Sequence, residues 1–123
     1  MSHLSQPLWW QERARIRTAK LAEAIEHLKT ALLQLGGVQG ALIYGSYARG
    51  EVGPESDLDI MLIQKSDFPF VERMTNVYSK LRLGIPYDLV VYTPDEFQKL
   101  KNTSNFVAQA AREGIWIDAR AAV

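Results

Sequence analysis

Four short apolar runs alternate with helical stretches along this sequence, and this alternation restricts the fold more than any other feature. The runs span residues 41–44, 57–63, 88–92 and 115–117. The first lies between Gly40 and Gly45, which is typical of a buried β-strand. With the helical stretches the order is α-β-loop-β-α-β-α-α-β. This order predicts an α/β fold in which helices flank a small mixed β-sheet.

The first helical stretch, residues 9–35, has an apolar stripe that recurs every three or four residues. Its members are Leu21, Ile25, Leu28, Leu32 and Leu35. We expect the pair Gly36-Gly37 to end this helix as a C-terminal cap. Adjacent tryptophans, Trp9 and Trp10, precede the stripe. One of them is expected to be exposed, where it favours a partner surface; the alternative is packing against Trp116.

The later helices carry start signals of their own. Phe70, Met74, Val77 and Leu81 again step by four, three and four, and Ser66 or Asp67 is expected to cap this helix. Residues 93–96, Thr-Pro-Asp-Glu, predict a capping box with proline at the first helical position. Ser104 is expected to begin the last helix, which ends at Gly114.

Composition excludes several classes of protein. The chain has 123 residues, of which 47% are apolar and 23% charged, as in one ordinary globular domain. Since it has no cysteine, disulfides, zinc–thiolate sites and thiol nucleophiles are excluded. Fourteen cations balance fourteen anions, which argues against general nucleic-acid binding. No apolar run suits a signal peptide or a membrane span, so we expect a cytoplasmic protein that does not bind membranes.

Two aspartates interrupt the second apolar run. Asp57 and Asp59 lie two residues apart, so on a strand they share one face, where like charges repel. A bound Mg²⁺ would remove this penalty, because hard cations prefer oxygen ligands. Asp88 begins the next run and can face the same pocket. The three carboxylates fit a two-metal site, and Asp88 is also a candidate general base. The alternative is a solvated strand end for the pair and a turn or capping role for Asp88.

A glycine-serine turn follows the first run. Backbone N–H groups at a strand-to-helix turn bind phosphate oxygens, so Gly45 and Ser46 are candidate phosphate ligands. Arg49 lies three residues beyond Ser46 and could reach the same anion. The alternatives are a plain turn and, for Arg49, a surface ion pair with Glu51 or Glu55. Neither a Walker loop nor a dinucleotide fingerprint is present, because the spacing of glycines and lysine differs.

The motif GSYARG at residues 45–50, followed by Ser56-Asp57-x-Asp59 and by Asp88, resembles that of the minimal nucleotidyltransferases of the DNA polymerase β superfamily. The resemblance extends over residues 42–92. It implies transfer of a nucleoside monophosphate from a triphosphate to a hydroxyl, with release of pyrophosphate. It also implies that Asp57 and Asp59 bind two Mg²⁺ ions, that Asp88 binds the catalytic ion and activates the acceptor, and that Gly45 and Ser46 hold the triphosphate.

Short members of this family resemble the antitoxins that are encoded beside HEPN-type helical toxins, and some transfer AMP from ATP to a tyrosine of the toxin. The resemblance therefore implies a HEPN-type partner and a homo- or hetero-oligomer. Two alternatives stay open: masking of the toxin without catalysis, and transfer to a small-molecule hydroxyl. We expect one nucleotidyltransferase domain over residues 1–123, with an N-terminal helix (1–36), a catalytic core (40–92), and C-terminal helices with a short strand (93–123).

Two further groups of residues have no single interpretation. Arg13, Arg17 and Lys20 share one helix face, which is solvated or else meets an acidic partner or RNA. Tyr47 lies inside the glycine-serine motif and either stacks on a base or covers the loop. The identity of the base that the protein prefers does not follow from any residue of the sequence.

Overall fold

A four-stranded mixed sheet lies between two layers of helices in the computed structural model, which describes residues 5–120. The predicted order of elements is confirmed, and the segment between the first two strands, expected as a loop, contains a short helix. The elements are α1 (Leu8–Leu32), β1 (Val38–Tyr44), α2 (Ser46–Arg49), β2 (Leu58–Gln64), α3 (Phe70–Tyr78), β3 (Tyr87–Tyr92), α4 (Pro94–Thr103), α5 (Asn105–Glu113) and β4 (Ile115–Asp118). None of the helices within residues 5–120 is long and apolar enough to cross a membrane.

The strand order across the sheet is β3-β2-β1-β4. Strands β2 and β3 are parallel, since the chain returns through α3, whereas β1 is antiparallel to both β2 and β4. The carboxyl end of β1 therefore meets the amino ends of β2 and β3 at one end of the sheet. Every acidic residue and the glycine turn of the predicted site belong to that end.

The two faces of the sheet bury different sets of side chains. One face packs against α1 and α3 through Ala41, Ile43, Leu58, Ile60, Leu62 and Val91, together with the apolar stripe of α1. The other face packs against α5 through Leu42, Met61, Ile63, Val107 and Ala110, with Phe97 and Leu100 of α4 at its border. Because side chains alternate along a strand, Asp59 lies on the α4/α5 face with Met61 and Ile63.

Helix α1 ends earlier than predicted. It stops at Leu32, and its C-cap is Leu33, whose N–H donates to the Thr30 carbonyl, while the Gln34 N–H donates to the Ala31 carbonyl. Leu35 is buried although it lies beyond the end of the helix. Its place in the apolar stripe therefore indicated a core position and not a helical one. The positive φ of +75° at Gly37 belongs to the turn into β1 and does not cap α1.

The predicted caps of α3 are also wrong. The helix begins at Phe70 with Pro69 as N-cap, and the Ser66 hydroxyl instead accepts a hydrogen bond from the Phe68 N–H at 3.1 Å. A residue before proline is disfavoured in the helical conformation, so Pro69 keeps Phe68 out of the helix. Phe70 itself is exposed, and the buried positions of this helix are Arg73 and Val77.

The starts of α4 and α5 are confirmed. The Glu96 N–H donates to Thr93 Oγ1 at 3.2 Å and the Thr93 N–H donates to Glu96 Oε1 at 2.8 Å, which completes the capping box. Ser104 caps α5 by accepting from the Val107 N–H at 3.2 Å. These caps begin α4 directly after β3 and α5 directly after α4, on the face of the sheet that carries Asp59.

Candidate active site

Asp59 and Asp88 are direct neighbours across the parallel strands β2 and β3, where they are register partners. Burial raises the pKa of Asp59 to about 6. The neighbouring carboxyl group of Asp88 and the charge of Asp57 add to this rise, whereas the charge of Arg49 lowers the pKa. The predicted convergence of these two acids is found in the structure.

Asp57 lies just before β2, at the same end of the sheet. Its side chain is 44% exposed, and its Oδ1 lies 4.0 Å from Nη2 of Arg17. Within residues 5–120, no three acidic, histidine or cysteine side chains are grouped as metal ligands. The predicted trio is therefore a facing pair, Asp59 and Asp88, with Asp57 held toward α1. Two facing carboxylates fit a divalent ion such as Mg²⁺, which takes oxygen ligands and would relieve their repulsion.

Gly45 places backbone directly against the carboxyl group of Asp59. Its φ is +76° with ψ −150°, a conformation that essentially only glycine adopts. A Cβ at this position would collide with Asp59 Oδ2. Ser46 follows as the first residue of α2 and is half-buried beside this turn. The predicted phosphate turn and the predicted metal ligands are thus in contact through Gly45 and Asp59.

Arg49 ends α2 and is held by two carboxylates. Its Nε lies 2.6 Å from Glu51 Oε1, and its Nη1 lies 3.6 Å from Glu113 Oε2 at the end of α5. The ion pair with Glu51 agrees with the alternative weighed from the sequence, whereas no ion pair joins Arg49 to Glu55 among the described residues. The charge of Arg49 also lowers the pKa of Asp59, which burial and the neighbouring acids raise. A phosphate bound here would compete with Glu51 and Glu113.

Two aromatic residues that the sequence did not indicate lie on this side of the sheet, Tyr44 beside Asp59 and Phe106 against Tyr44. Tyr44 is the register partner of Asp59 on β1, and burial raises its pKa to about 12, assisted by the charges of Asp59 and Asp88. Phe106 of α5 meets the Tyr44 ring edge-on, with centroids 5.5 Å apart, and is 51% exposed. Strand alternation could have placed Tyr44 beside the site, but no local signal places Phe106 there.

Helix α1 contacts the segment that carries Asp57. Arg17 does not lie on a solvated face with Arg13, because its Nε donates to the Ser56 carbonyl at 2.9 Å. Trp10 lies near Gly53, whereas the Trp116 ring covers Gly40. Trp9 is 59% exposed, as predicted for one of the two tryptophans.

Tyr47 packs against the core that α1 forms with the sheet, and it lines two surface grooves beside α1. The packing agrees with the interpretation that this side chain covers the loop. Its half-buried ring lies on the α1 side of the turn, whereas Asp59 lies on the opposite face of the sheet.

The chain matches the family model described as "Nucleotidyltransferase domain" over residues 25–117. It is also similar to two proteins of Methanocaldococcus jannaschii, each named "putative protein adenylyltransferase". One is 34% identical over 71 residues, covering 56% of this chain and 68% of that protein. The other is 28% identical over 74 residues, covering 60% and 73%.

A solved structure agrees in fold. It is described as that of a "putative nucleotidyltransferase" from Sulfolobus solfataricus, and the similarity has a TM-score of 0.57 at 23% sequence identity. It covers 92% of this chain and 89% of that chain.

Proposed function

This chain belongs to the nucleotidyltransferase domain family and is a nucleotidyltransferase; we propose that it transfers AMP from ATP, with Mg²⁺, to a hydroxyl group of a partner protein. One observation carries the proposal. Asp59 and Asp88 face each other at one end of the sheet, and there the backbone of Gly45 lies against the carboxyl group of Asp59. Acidic ligands and a phosphate-binding turn in contact are what a nucleoside triphosphate with its metal requires.

The reaction needs an attacking oxygen, a leaving group and a proton acceptor. The acceptor hydroxyl oxygen forms a bond to the α-phosphorus of ATP. The bond from that phosphorus to the oxygen that bridges to the β-phosphate breaks, and pyrophosphate leaves. The hydroxyl proton passes to Asp88, which is the more exposed of the facing pair and so can be reached by an acceptor from solvent.

Asp59 and Asp88, with Asp57 beside them, are the residues that would hold magnesium. When bound, Mg²⁺ neutralises charge on the phosphates and favours ionisation of the acceptor hydroxyl. The chain itself orients these ligands through the parallel register of β2 and β3 and through the contact of Gly45 with Asp59. Such positioning accounts for most of the catalysis expected in phosphoryl chemistry.

The β- and γ-phosphates are assigned to the turn at Gly45 and Ser46. Glycine lets the phosphate approach the backbone, and the Ser46 hydroxyl adds a donor. Arg49 is assigned to the same phosphates, since it lies one helical turn from Ser46 and its present partners, Glu51 and Glu113, are surface acids. Exchange of an exposed ion pair for a phosphate costs little.

Both Methanocaldococcus jannaschii relatives are named as protein adenylyltransferases, which favours a protein over a small molecule as the acceptor. The resemblance to short family members makes the acceptor a tyrosine of a HEPN-type helical toxin, with this chain as its antitoxin. On that assignment the partner is encoded next to this chain and forms a complex with it. Both proteins would act in the cytoplasm.

The test uses ATP labelled either on the α- or on the γ-phosphate, Mg²⁺, and the protein encoded next to this chain. We expect the α-label, and not the γ-label, to become attached to the partner. Asp59→Asn and Asp88→Asn should abolish labelling, whereas Asp67→Asn, an exposed acid outside the site, should not. Transfer of the γ-label, or full labelling by Asp59→Asn, would contradict the proposal.

The same assay separates the two alternatives. Neutralisation of the partner by an Asp57→Asn/Asp59→Asn double variant, with no label transferred by the wild type, would indicate masking. Label that appears in a low-molecular-mass product, and not on the partner, would indicate a small-molecule hydroxyl as acceptor.

A further inference from the structure

The segment between α2 and β2, residues 50–57, carries Asp57 but has little regular structure of its own. A turn closes it, in which the Gly53 N–H donates to Ser56 Oγ at 2.8 Å and the Ser56 N–H donates to the Gly53 carbonyl. Pairing between β2 and β3 begins only at Leu58. The strand ladder therefore fixes Asp59 but does not fix Asp57.

Arg17 reaches this segment from α1, 39 residues earlier in the chain. Its Nε donates to the carbonyl oxygen of Ser56 at 2.9 Å, and its Nη2 lies 4.0 Å from Asp57 Oδ1. The side chain is only 19% exposed. One guanidinium thus donates to the carbonyl of the peptide bond that precedes Asp57 and lies at ion-pair distance from the carboxylate of Asp57.

We propose that Arg17 is a positioning residue, which fixes the backbone before Asp57 and orients its carboxylate for binding the metal–nucleotide complex. This inference rests on the proposed function of the site. A planar guanidinium can donate from Nε to the backbone while its Nη2 faces the carboxylate, whereas lysine offers a single ammonium group. Arginine, and not merely a positive charge, is therefore required at this position.

A purely structural role would be that Arg17 attaches α1 to the rest of the fold. That role predicts loss of stability without a specific effect on Asp57. The two roles are separated by Arg17→Lys, which keeps the charge and the alkyl stem, and by a double-variant cycle with Asp57→Asn. If Arg17 acts through Asp57, Arg17→Lys adds nothing once Asp57 has been replaced.

Arg13→Lys is the matched control. Arg13 lies one turn earlier on α1, and its guanidinium lies over the Trp9 ring, 5.4 Å from the centroid, rather than on the Asp57 segment. The same chemical change is thereby made on the same helix without touching residues 53–57.

The first experiment measures amide hydrogen exchange of residues 53–58 in the protein without metal or nucleotide. We expect Arg17→Lys to speed exchange there by about tenfold, the effect of one lost hydrogen bond to a charged group. Arg13→Lys should leave it unchanged. Equal exchange in the wild type and Arg17→Lys would overturn the proposal, and this outcome does not depend on whether the protein transfers AMP.

The second experiment titrates Mg²⁺ into the protein with a non-hydrolysable ATP analogue. Arg17→Lys should weaken Mg²⁺ binding about tenfold, as is typical when a partner of a metal ligand is altered. In the Asp57→Asn background, Arg17→Lys should cause no further loss. An equal tenfold loss in both backgrounds would show that Arg17 acts independently of Asp57 and would overturn the proposal.

Discussion

Asp59 on β2 and Asp88 on β3 are register partners in the only parallel strand pair of the sheet formed by residues 5–120, and burial together with the charge of Asp88 raises the pKa of Asp59. Two acids in contact on a partly buried face destabilise the fold whenever both are ionised. A fold selected for stability alone would not place them together. Under the proposed function a bound cation offsets this cost, and the cost itself can be measured.

The first prediction concerns stability and pH. Because the pKa of Asp59 is raised to about 6 from an ordinary value of 3.8, the folded state retains a proton that the unfolded state releases. The resulting contribution to the free energy of unfolding is full below about pH 4 and is lost as pH rises through 6. Asp59→Asn should thus stabilise the metal-free protein at pH 8 by about 1 kcal/mol, a value reduced for partial exposure, and by less at pH 5.

Urea denaturation at the two pH values measures this difference. Asp67→Asn, which removes an exposed acid far from the pair, should change the free energy of unfolding equally at both. A gain from Asp59→Asn that is the same at pH 5 and pH 8 would contradict the raised pKa.

A second prediction compares two glycines with positive φ. Gly45→Ala forces alanine into a glycine-only conformation and drives its Cβ into Asp59, so we expect a loss of about 3 kcal/mol in unfolding free energy. Gly50→Ala meets no atom within 4 Å and has an ordinary left-handed conformation, so its loss should be about 1 kcal/mol. Equal losses by urea denaturation would show that the contact with Asp59 is unimportant.

The third prediction concerns Arg73, which is 4% exposed and joins α3 to β3 and α4. It donates to the carbonyls of Val91 and Phe68 at 2.9 and 3.1 Å and pairs with Glu96 at 2.6 Å. Arg73→Met should lower the free energy of unfolding by about 2 kcal/mol, since it leaves buried carbonyls without donors. Arg82→Met removes one exposed hydrogen bond, to Tyr78, and should change stability by less than about 0.5 kcal/mol.

Local signals predicted the elements and the facing acids. The capping box of α4 involves only Thr93 and Glu96, three residues apart, so it can be recognised in the sequence. Both of its hydrogen bonds are present. Strand periodicity placed Asp59 on one face, and Asp88 faces it because parallel strands joined through a helix lie side by side. The stop of α1 and the start of α3 were missed because backbone turns and Pro69, rather than side-chain caps, determine them.

Contacts between distant parts of the chain were not predictable. The hydrogen bond from Arg17 to Ser56 spans 39 residues, and nothing near Arg17 distinguishes it from Arg13 on the same helix face. Phe106 reaches Tyr44 only because α5 packs on the Asp59 side of the sheet. Such pairings depend on how the helical layers pack, which residue order and periodicity leave undetermined.

Calorimetric titration of ATP into the protein, with and without Mg²⁺, tests most directly whether the acids and the Gly45 turn form one nucleotide site. We predict that Mg²⁺ tightens ATP binding at least about tenfold, and that Asp59→Asn and Asp88→Asn each abolish this gain while Asp67→Asn keeps it. An ATP affinity that is the same with and without Mg²⁺, or the same in Asp59→Asn as in the wild type, would contradict the assignment of the site.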